Sequence, residues 1–297
     1  METMLCGFAE SKDAASALAK SLGIPFSEVA VHRFPDGESL VRVDTPPSAA
    51  ILFRSLDDPN AKLVELLLAA SALRENGAAK VVLVAPYLCY MRQDVAFMPG
   101  QAISQRVIGK LLADHLDGVL TVDPHLHRIH ALSDVMPGTE AVSITAGPAL
   151  SAALAGTGNP VLVGPDEESR QWVEAIAAPL GCEVLVGTKQ RSGDRQVEIA
   201  IESIEKVAGR PAVLVDDVIA SGVTLAVAAR LLQAAGAASI EAVATHCLAD
   251  SHDLAALHDA GISRIRATDS VPGPVADISL AALLAEEIRK CGWVGKG

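Results

Sequence analysis

The adjacent carboxylates Asp216 and Asp217 follow the apolar run Val213-Leu-Val215 and precede a short loop of small residues. From Thr224 the pattern becomes Ala/Leu-rich and helical. A strand that passes through such a loop into a helix presents backbone N–H groups and the positive helix end to an anion, typically a phosphate. Ser221, Gly222, Val223 and Thr224 close the loop. Ser221 and Thr224 add hydroxyl donors, and Thr224 suits the helix N-cap. Asp216 and Asp217 can accept hydrogen bonds from sugar hydroxyls, and strand ends of open α/β sheets are where ligands bind. The same residues also fit an ordinary βα turn with two solvated aspartates.

Other polar groups stand at similar places. Arg92 offers a fixed fork of donors for polyphosphate oxygens, Gln93 can donate and accept toward a base or phosphate, and Asp94 follows them. A surface Arg–Gln pair at a strand end is the plainer alternative. Phe34 supplies an apolar face for a purine, with Asp36 and Glu38 as acceptors, across a β-turn at Pro35-Asp36-Gly37. Lys189 and Arg191 lie in Lys-Gln-Arg-Ser-Gly-Asp-Arg, either a solvated hairpin tip or a flexible loop closing over a diphosphate. Phosphoryl chemistry depends on positioning and on neutralising spread charge, which such a pair supplies. His125 crowds with His127 and His130. No Cys or close carboxylate pair accompanies them, so a transition-metal cage is not indicated. His127 and His130 are expected to be plain helix or loop residues. Asp166, after Val161-Leu-Val-Gly-Pro, sits at another strand end, where an Asp also serves as a helix cap.

The elements that must position these residues alternate between short buried strands and amphipathic helices, the mark of parallel α/β layers. Strands are expected at 49–53, 81–85 and 118–122, then at 161–164, 184–188, 212–216, 241–245 and 264–268. Helices are expected at 61–76, 102–115, 168–180, 224–235, 253–260 and 280–289. A hairpin or bent pair joins 29–33 to 40–43. The length of 297 residues suits two domains. Pro137-Gly138 and Gly147-Pro148 bracket the joint, giving domains at 1–143 and 144–297, with the last helix folding back on the first domain. No internal repeat shows in the sequence.

Taken together, these segments resemble the ribose-phosphate pyrophosphokinases. Asp216–Thr224 is similar to the phosphoribosyl-diphosphate loop which that family shares with type I phosphoribosyltransferases. Arg33-Phe-Pro-Asp-Gly-Glu38 resembles the element lining the ATP site from a neighbouring subunit. Pro86-Tyr-Leu-Cys-Tyr-Met-Arg-Gln-Asp94 resembles the segment that holds ATP. Val122-Asp-Pro-His125 and Gly164-Pro-Asp166 resemble the elements carrying a magnesium-linked His and Asp, and Thr188-Lys-Gln-Arg191 falls where the family has a mobile catalytic loop. The resemblance implies two phosphoribosyltransferase-like α/β domains, each a mainly parallel sheet flanked by helices. It implies transfer of the diphosphate of ATP to C1 of ribose 5-phosphate, with Mg²⁺ as cofactor held through His125 and Asp166. Sparse protein ligation suits Mg²⁺, which keeps waters and substrate oxygens. Lys189, Arg191 and His125 would be catalytic. Phe34, Asp36, Glu38, Arg92, Gln93 and Asp94 would bind ATP. Asp216, Asp217 and Ser221 to Thr224 would bind ribose 5-phosphate. A shared ATP site implies a homo-oligomer, at least a dimer.

Departures from the family pattern set further expectations. Val223 takes the place of a usual Gly or Ala-Gly, so a left-handed backbone there would reshape the loop. Glu167 and Glu168 replace a Gly-Gly pair and add negative charge. Ala220, and the absence of basic residues after Asp94, resemble the archaeal-type branch, implying weak or absent ADP allostery. Two rivals remain at this stage: a phosphoribosyltransferase acting on a base, and a catalytically silent regulatory homologue.

Composition sets limits. Half of the residues are hydrophobic but only 3% are aromatic, so cores must be built from Ala, Val, Leu and Ile. The net charge of -12, without any Lys/Arg-rich run, argues against a nucleic-acid partner. Apolar runs are interrupted before membrane-spanning length, and the apolar start carries Glu2 rather than a basic n-region. The five scattered cysteines fit thiols in a reducing compartment, so the expected address is the cytoplasm.

Overall fold

Strands covered on both faces by helices have no need of polar side chains, which is why the central ones read as unbroken apolar runs. β1 (Thr3–Phe8), β4 (Ala49–Phe53) and β6 (Gly118–Val122) are buried at every residue. The structure, a computed structural model, describes residues 2–43, 48–126, 131–191 and 197–295. With β2 (Phe26–Arg33), β3 (Ser39–Arg42), β5 (Lys80–Ala85) and β7 (Glu140–Ile144), these strands form a seven-stranded sheet in the order β3-β2-β1-β4-β5-β6-β7. Every neighbouring pair is parallel except β2–β3, an antiparallel edge hairpin. Helices α1 (Lys12–Leu22), α2 (Pro59–Glu75) and α3 (Ser104–Ala113) supply crossovers.

After α4 (Gly147–Leu154) the same plan recurs. β8 (Val161–Gly164), α5 (Arg170–Ala177), β9 (Glu183–Arg191), β10 (Val197–Ile201), β11 (Pro211–Ile219), α6 (Val223–Ala234), β12 (Ser239–Cys247), α7 (Ser251–Asp259), β13 (Arg264–Thr268) and β14 (Ala276–Ile278) follow. The second sheet runs β10-β9-β8-β11-β12-β13-β14, again with one antiparallel pair, β9–β10. The two orders are the same order. The chain therefore repeats a topology that its sequence does not show as a repeat.

Each sheet has its own core, one around Leu52, Leu66 and Leu83 and one around Val163, Leu214 and Ala228, with aromatic side chains scarce in both. Two compact units result: Met1–Thr145 with Ser270–Pro272 and Leu280–Gly297, and Ala146–Asp269 with Gly273–Ser279. The last helix, α8 (Ala281–Lys290), belongs to the first unit and packs on α1, where Arg289 donates to the Ser21 carbonyl. Just beyond it, buried Trp293 donates from Nε1 to Glu140 Oε2 at 2.7 Å. No helix among the described residues is long and apolar enough to cross a membrane.

Several elements differ from the sequence reading. β1, β7, β10, β14, α1 and α4 carry no signal strong enough to be read. β1 is Thr-Met-Leu-Cys-Gly-Phe, apolar but poor in β-branched residues, and β14 has three residues. β9 and β11 are longer than expected, with consequences for the site.

Candidate functional site

In both sheets the strand order reverses direction between the first and fourth strands, and such switch points are where open α/β sheets receive ligands. In the second unit the switch lies between β8 and β11, paired in parallel with Val163 opposite Leu214. Asp166 follows β8, and Asp216 and Asp217 lie in β11. Three carboxylates thus share the carboxyl ends of adjacent strands. Burial, then the charges of Asp217 and Asp166, push the Asp216 carboxyl well above its ordinary value. A site with this property favours a cation or a hydroxyl donor.

The sequence placed the strand end at Asp216, but β11 continues to Ile219, pairing Val218 with His246 and Ile219 with Cys247. The aspartates are therefore fixed by a strand ladder rather than carried on a loop. The turn itself is only Ala220-Ser221-Gly222. Thr224 is not the helix N-cap: that place belongs to Gly222, at φ 69°, and α6 begins at Val223. A Cβ on Gly222 would also lie 2.8 Å from Leu257 Cδ1, so conformation and space both demand glycine. Val223 is in the helix, exposed, and free of the strain expected for it. The helix N-terminus has no side-chain cap, which leaves its N–H groups to an anion.

Asp166 does serve as a cap. Its Oδ1 accepts from the Glu168 and Ser169 amides at 3.1 and 3.3 Å in a capping box. The negative charge expected from Glu167 is offset by Arg170, which donates to it at 2.8 and 2.9 Å. Lys189 and Arg191 lie in strand β9, opposite Ile199 and Val197, rather than in a loop. Residues 192–196 and the side chains of Lys189 and Arg191 lie outside the described part.

In the first unit the edge hairpin turns through Phe34–Glu38. The Phe34 amide donates to the Glu38 carbonyl at 2.8 Å, and the Glu38 amide to Asp36 Oδ1 at 3.1 Å. Gly37, at φ 93°, makes the reversal. Phe34, Asp36 and Glu38 are all exposed, with Phe34 edge-on to His32. Beyond β5, Arg92 is exposed, Gln93 half-buried and Asp94 buried. Gln93 has a local duty: its Oε1 accepts from Ser104 Oγ at 2.6 Å, tying it to the start of α3. His125, half-buried, follows β6 through Asp123, whose φ of 36° turns the chain out of the sheet. His127 and His130 lie outside the described residues. Among the described residues no three His, Cys, Asp or Glu side chains gather as a metal cage.

The switch point of the first unit is built differently. Gly7, last but one in β1, pairs with Phe53, and Arg54 follows. In the second unit Gly164 ends β8, and Asp216 comes two residues after Leu214, the partner of Val163. Where the second unit has acids, the first has Arg54, 2% exposed, bonded to Glu10 at 2.7 Å, to Glu65 at 2.6 Å and to the Lys62 carbonyl at 3.0 Å. Its guanidinium also lies 3.8 Å from the Phe8 ring centroid. Arg54 is thus buried among the unit's own ion pairs.

This asymmetry of two like sheets is matched by similarity to known proteins. A family model described as the N-terminal domain of ribose phosphate pyrophosphokinase matches residues 3–115, and a phosphoribosyl transferase domain matches 148–281. A ribose-phosphate pyrophosphokinase of Methanopyrus kandleri is 34% identical over 92% of this chain and 94% of its own. Ribose-phosphate pyrophosphokinase 2 of Archaeoglobus fulgidus is 34% identical, covering 92% and 96%. The chain belongs to the ribose-phosphate pyrophosphokinase family. The crystal structure of phosphoribosylpyrophosphate synthetase from Mycobacterium smegmatis is similar in fold, with a TM-score of 0.84 and 25% identity, covering 98% of this chain and 99% of that one. A base-specific phosphoribosyltransferase would leave the matched N-terminal half without a role.

Arg54, Glu65 and Glu10 escape a sequence reading. They fall inside or beside ordinary strand and helix patterns, and only the fold shows three charged residues converging beneath the sheet. The one available hint is an acid, Glu65, within the apolar run Leu63-Val-Glu-Leu-Leu-Leu68.

Proposed function

We propose that this protein transfers the diphosphate of ATP to C1 of ribose 5-phosphate, giving 5-phosphoribosyl 1-diphosphate and AMP. The observation that carries this reading is the contrast between the switch points. Asp166, Asp216 and Asp217 stand at the strand ends that lead to an uncapped helix N-terminus in one unit, while the other unit has buried, ion-paired Arg54 at its switch point, in a chain of this family. In this reading the second unit takes ribose 5-phosphate. Its phosphate meets the N–H groups from Ser221 to Thr224 at the start of α6, and its hydroxyls donate to Asp216 and Asp217. The first unit takes ATP, with Arg92 on phosphate oxygens, the Gln93 amide and Asp94 nearby. Phe34, Asp36 and Glu38 come from the hairpin of a neighbouring copy, which makes a homo-oligomer part of the proposal.

The anomeric hydroxyl attacks the β-phosphorus, the C1–O–P bond forms, the α–β bridge breaks, and AMP leaves with the bridging oxygen. The hydroxyl proton passes to solvent or a nearby base. Lys189 and Arg191 offset charge on the transferring diphosphate. The hard oxygen donors of Asp166 suit Mg²⁺, and His125, in the first unit, is the other residue that the family pattern links to this ion. Bound there, the ion supplies charge neutralisation for phosphate oxygens.

The silent-homologue reading drew on Val223 and on Glu167-Glu168. A helical Val223 and a Glu167 paired to Arg170 take away two of its three supports, leaving Glu168. Purified protein given ATP, Mg²⁺ and ribose 5-phosphate should release AMP only when the sugar phosphate is present. Absence of AMP across Mg²⁺ and inorganic phosphate concentrations would contradict the proposal.

A further inference from the structure

We infer that Glu65 is a positioning residue for the nucleotide half of the site, clamping both feet of the hairpin turn that carries Phe34, Asp36 and Glu38. The inference rests on the proposed role of that turn. Glu65 is 1% exposed, on the inner side of α2. Its Oε1 accepts from Ser39 Oγ at 2.9 Å and from Arg33 Nε at 3.2 Å. Arg33 and Ser39 are direct partners across β2 and β3, the last pair before the turn. One carboxylate oxygen therefore holds both strands where the turn leaves the sheet.

The turn needs such an anchor. β3 is a four-residue edge strand that pairs with β2 alone in the sheet. Phe34, Asp36, Gly37 and Glu38 are all exposed, and the described bonds among them stay within the hairpin, so its feet set where the turn sits. The other oxygen of Glu65, Oε2, is held by Arg54 at 2.6 Å, and Arg54 is fixed in turn by Glu10, the Lys62 carbonyl and the Phe8 ring. Burial pushes the Glu65 carboxyl upward, but bonds from Arg54 and Ser39 and the charges of Arg54 and Arg33 outweigh it, leaving Glu65 below its ordinary value and ionised. The buried charges of the first unit thus have a use: they lock the hairpin.

The two oxygens make the idea separable from plain stability. Arg33→Met with Ser39→Ala removes the hairpin side of the clamp and leaves the Arg54–Glu65 pair. In the full chain this double variant should raise the KM for ATP by about ten-fold, with kcat and the KM for ribose 5-phosphate within two-fold. Exchange of the Phe34 and Gly37 amides should accelerate by about ten-fold. Glu65→Gln should raise the ATP KM in the parent, yet add little in the double-variant background, since the clamp is already gone. An unchanged ATP KM, or an equal rise for both substrates, overturns the inference. If the parent releases no AMP, the proposed reaction fails instead, and amide exchange decides the clamp: unchanged exchange in the double variant refutes it.

Discussion

Arg54 and Glu65 form an ion pair in the core of the first unit, Nη2 to Oε2 2.6 Å, with 3% and 1% of their side chains exposed. A buried pair is weak evidence of net stabilisation, because desolvating two charges offsets their attraction. Breaking it is another matter: without Arg54, Glu65 stays buried with only the Arg33 and Ser39 bonds to Oε1 described for it. Arg54→Ala is expected to cost about 3–5 kcal/mol. Arg54→Met with Glu65→Leu should recover a large part of that loss, because apolar residues of similar size replace both charges. Urea midpoints for the two variants check this.

Asp216 obeys the opposite logic. Its carboxyl is raised in the folded state, so the folded protein binds that proton more readily than the unfolded chain. Stability of the ligand-free, metal-free protein is then greatest at low pH from this group. It falls as pH rises from the ordinary value of 3.8 through the raised one. Asp216→Asn should raise the melting temperature of the ligand-free protein at neutral pH and flatten this pH dependence. The same change should lower activity by about 10²-fold or more, a stability–function conflict expected of a site built for positive charge. Thermal melts of both proteins across pH, beside their rates, provide the check.

Lys189→Ala and Arg191→Ala should each lower kcat by about 10²-fold while leaving KM values within a few-fold. Groups that act on charge developing in transfer contribute mainly in the transition state. Steady-state kinetics distinguish this from a pure KM effect, which would mean that they hold substrate only.

What the sequence could and could not show follows from where information is local. The strands at 49–53, 118–122 and 161–164 were legible to the residue because buried parallel strands are almost wholly apolar, and 264–268 was legible too, despite Arg264 and Arg266. The Asp216–Thr224 segment drew attention because small residues and paired acids have few other uses together. Its geometry was not legible, since the extension of β11 to Ile219 comes from pairing with β12, and the left-handed residue is Gly222 rather than Val223. Arg54, Glu65 and Glu10 were invisible because their meeting depends on strand order. The doubled topology was hidden for the same reason: it lies in the strand order of the two sheets.

ADP should inhibit by simple competition with ATP, without a sigmoidal response. The stretch after Asp94, Val95-Ala-Phe-Met-Pro-Gly-Gln101, carries no basic residue with which a second diphosphate could pair. Velocity curves at several fixed ADP concentrations decide it. Inhibition that excess ATP does not relieve, or cooperative curves, would contradict the expectation.

The central claim is that one enzyme moves two phosphoryl units together onto C1 of a sugar phosphate. Phosphorus NMR of a reaction mixture tests it most directly, because every product carries phosphorus. As ATP and ribose 5-phosphate decline, AMP should appear in step with a coupled pair of diphosphate resonances on the anomeric carbon. Appearance of ADP with a sugar bisphosphate, or loss of ATP to free phosphate with ribose 5-phosphate unchanged, would contradict it.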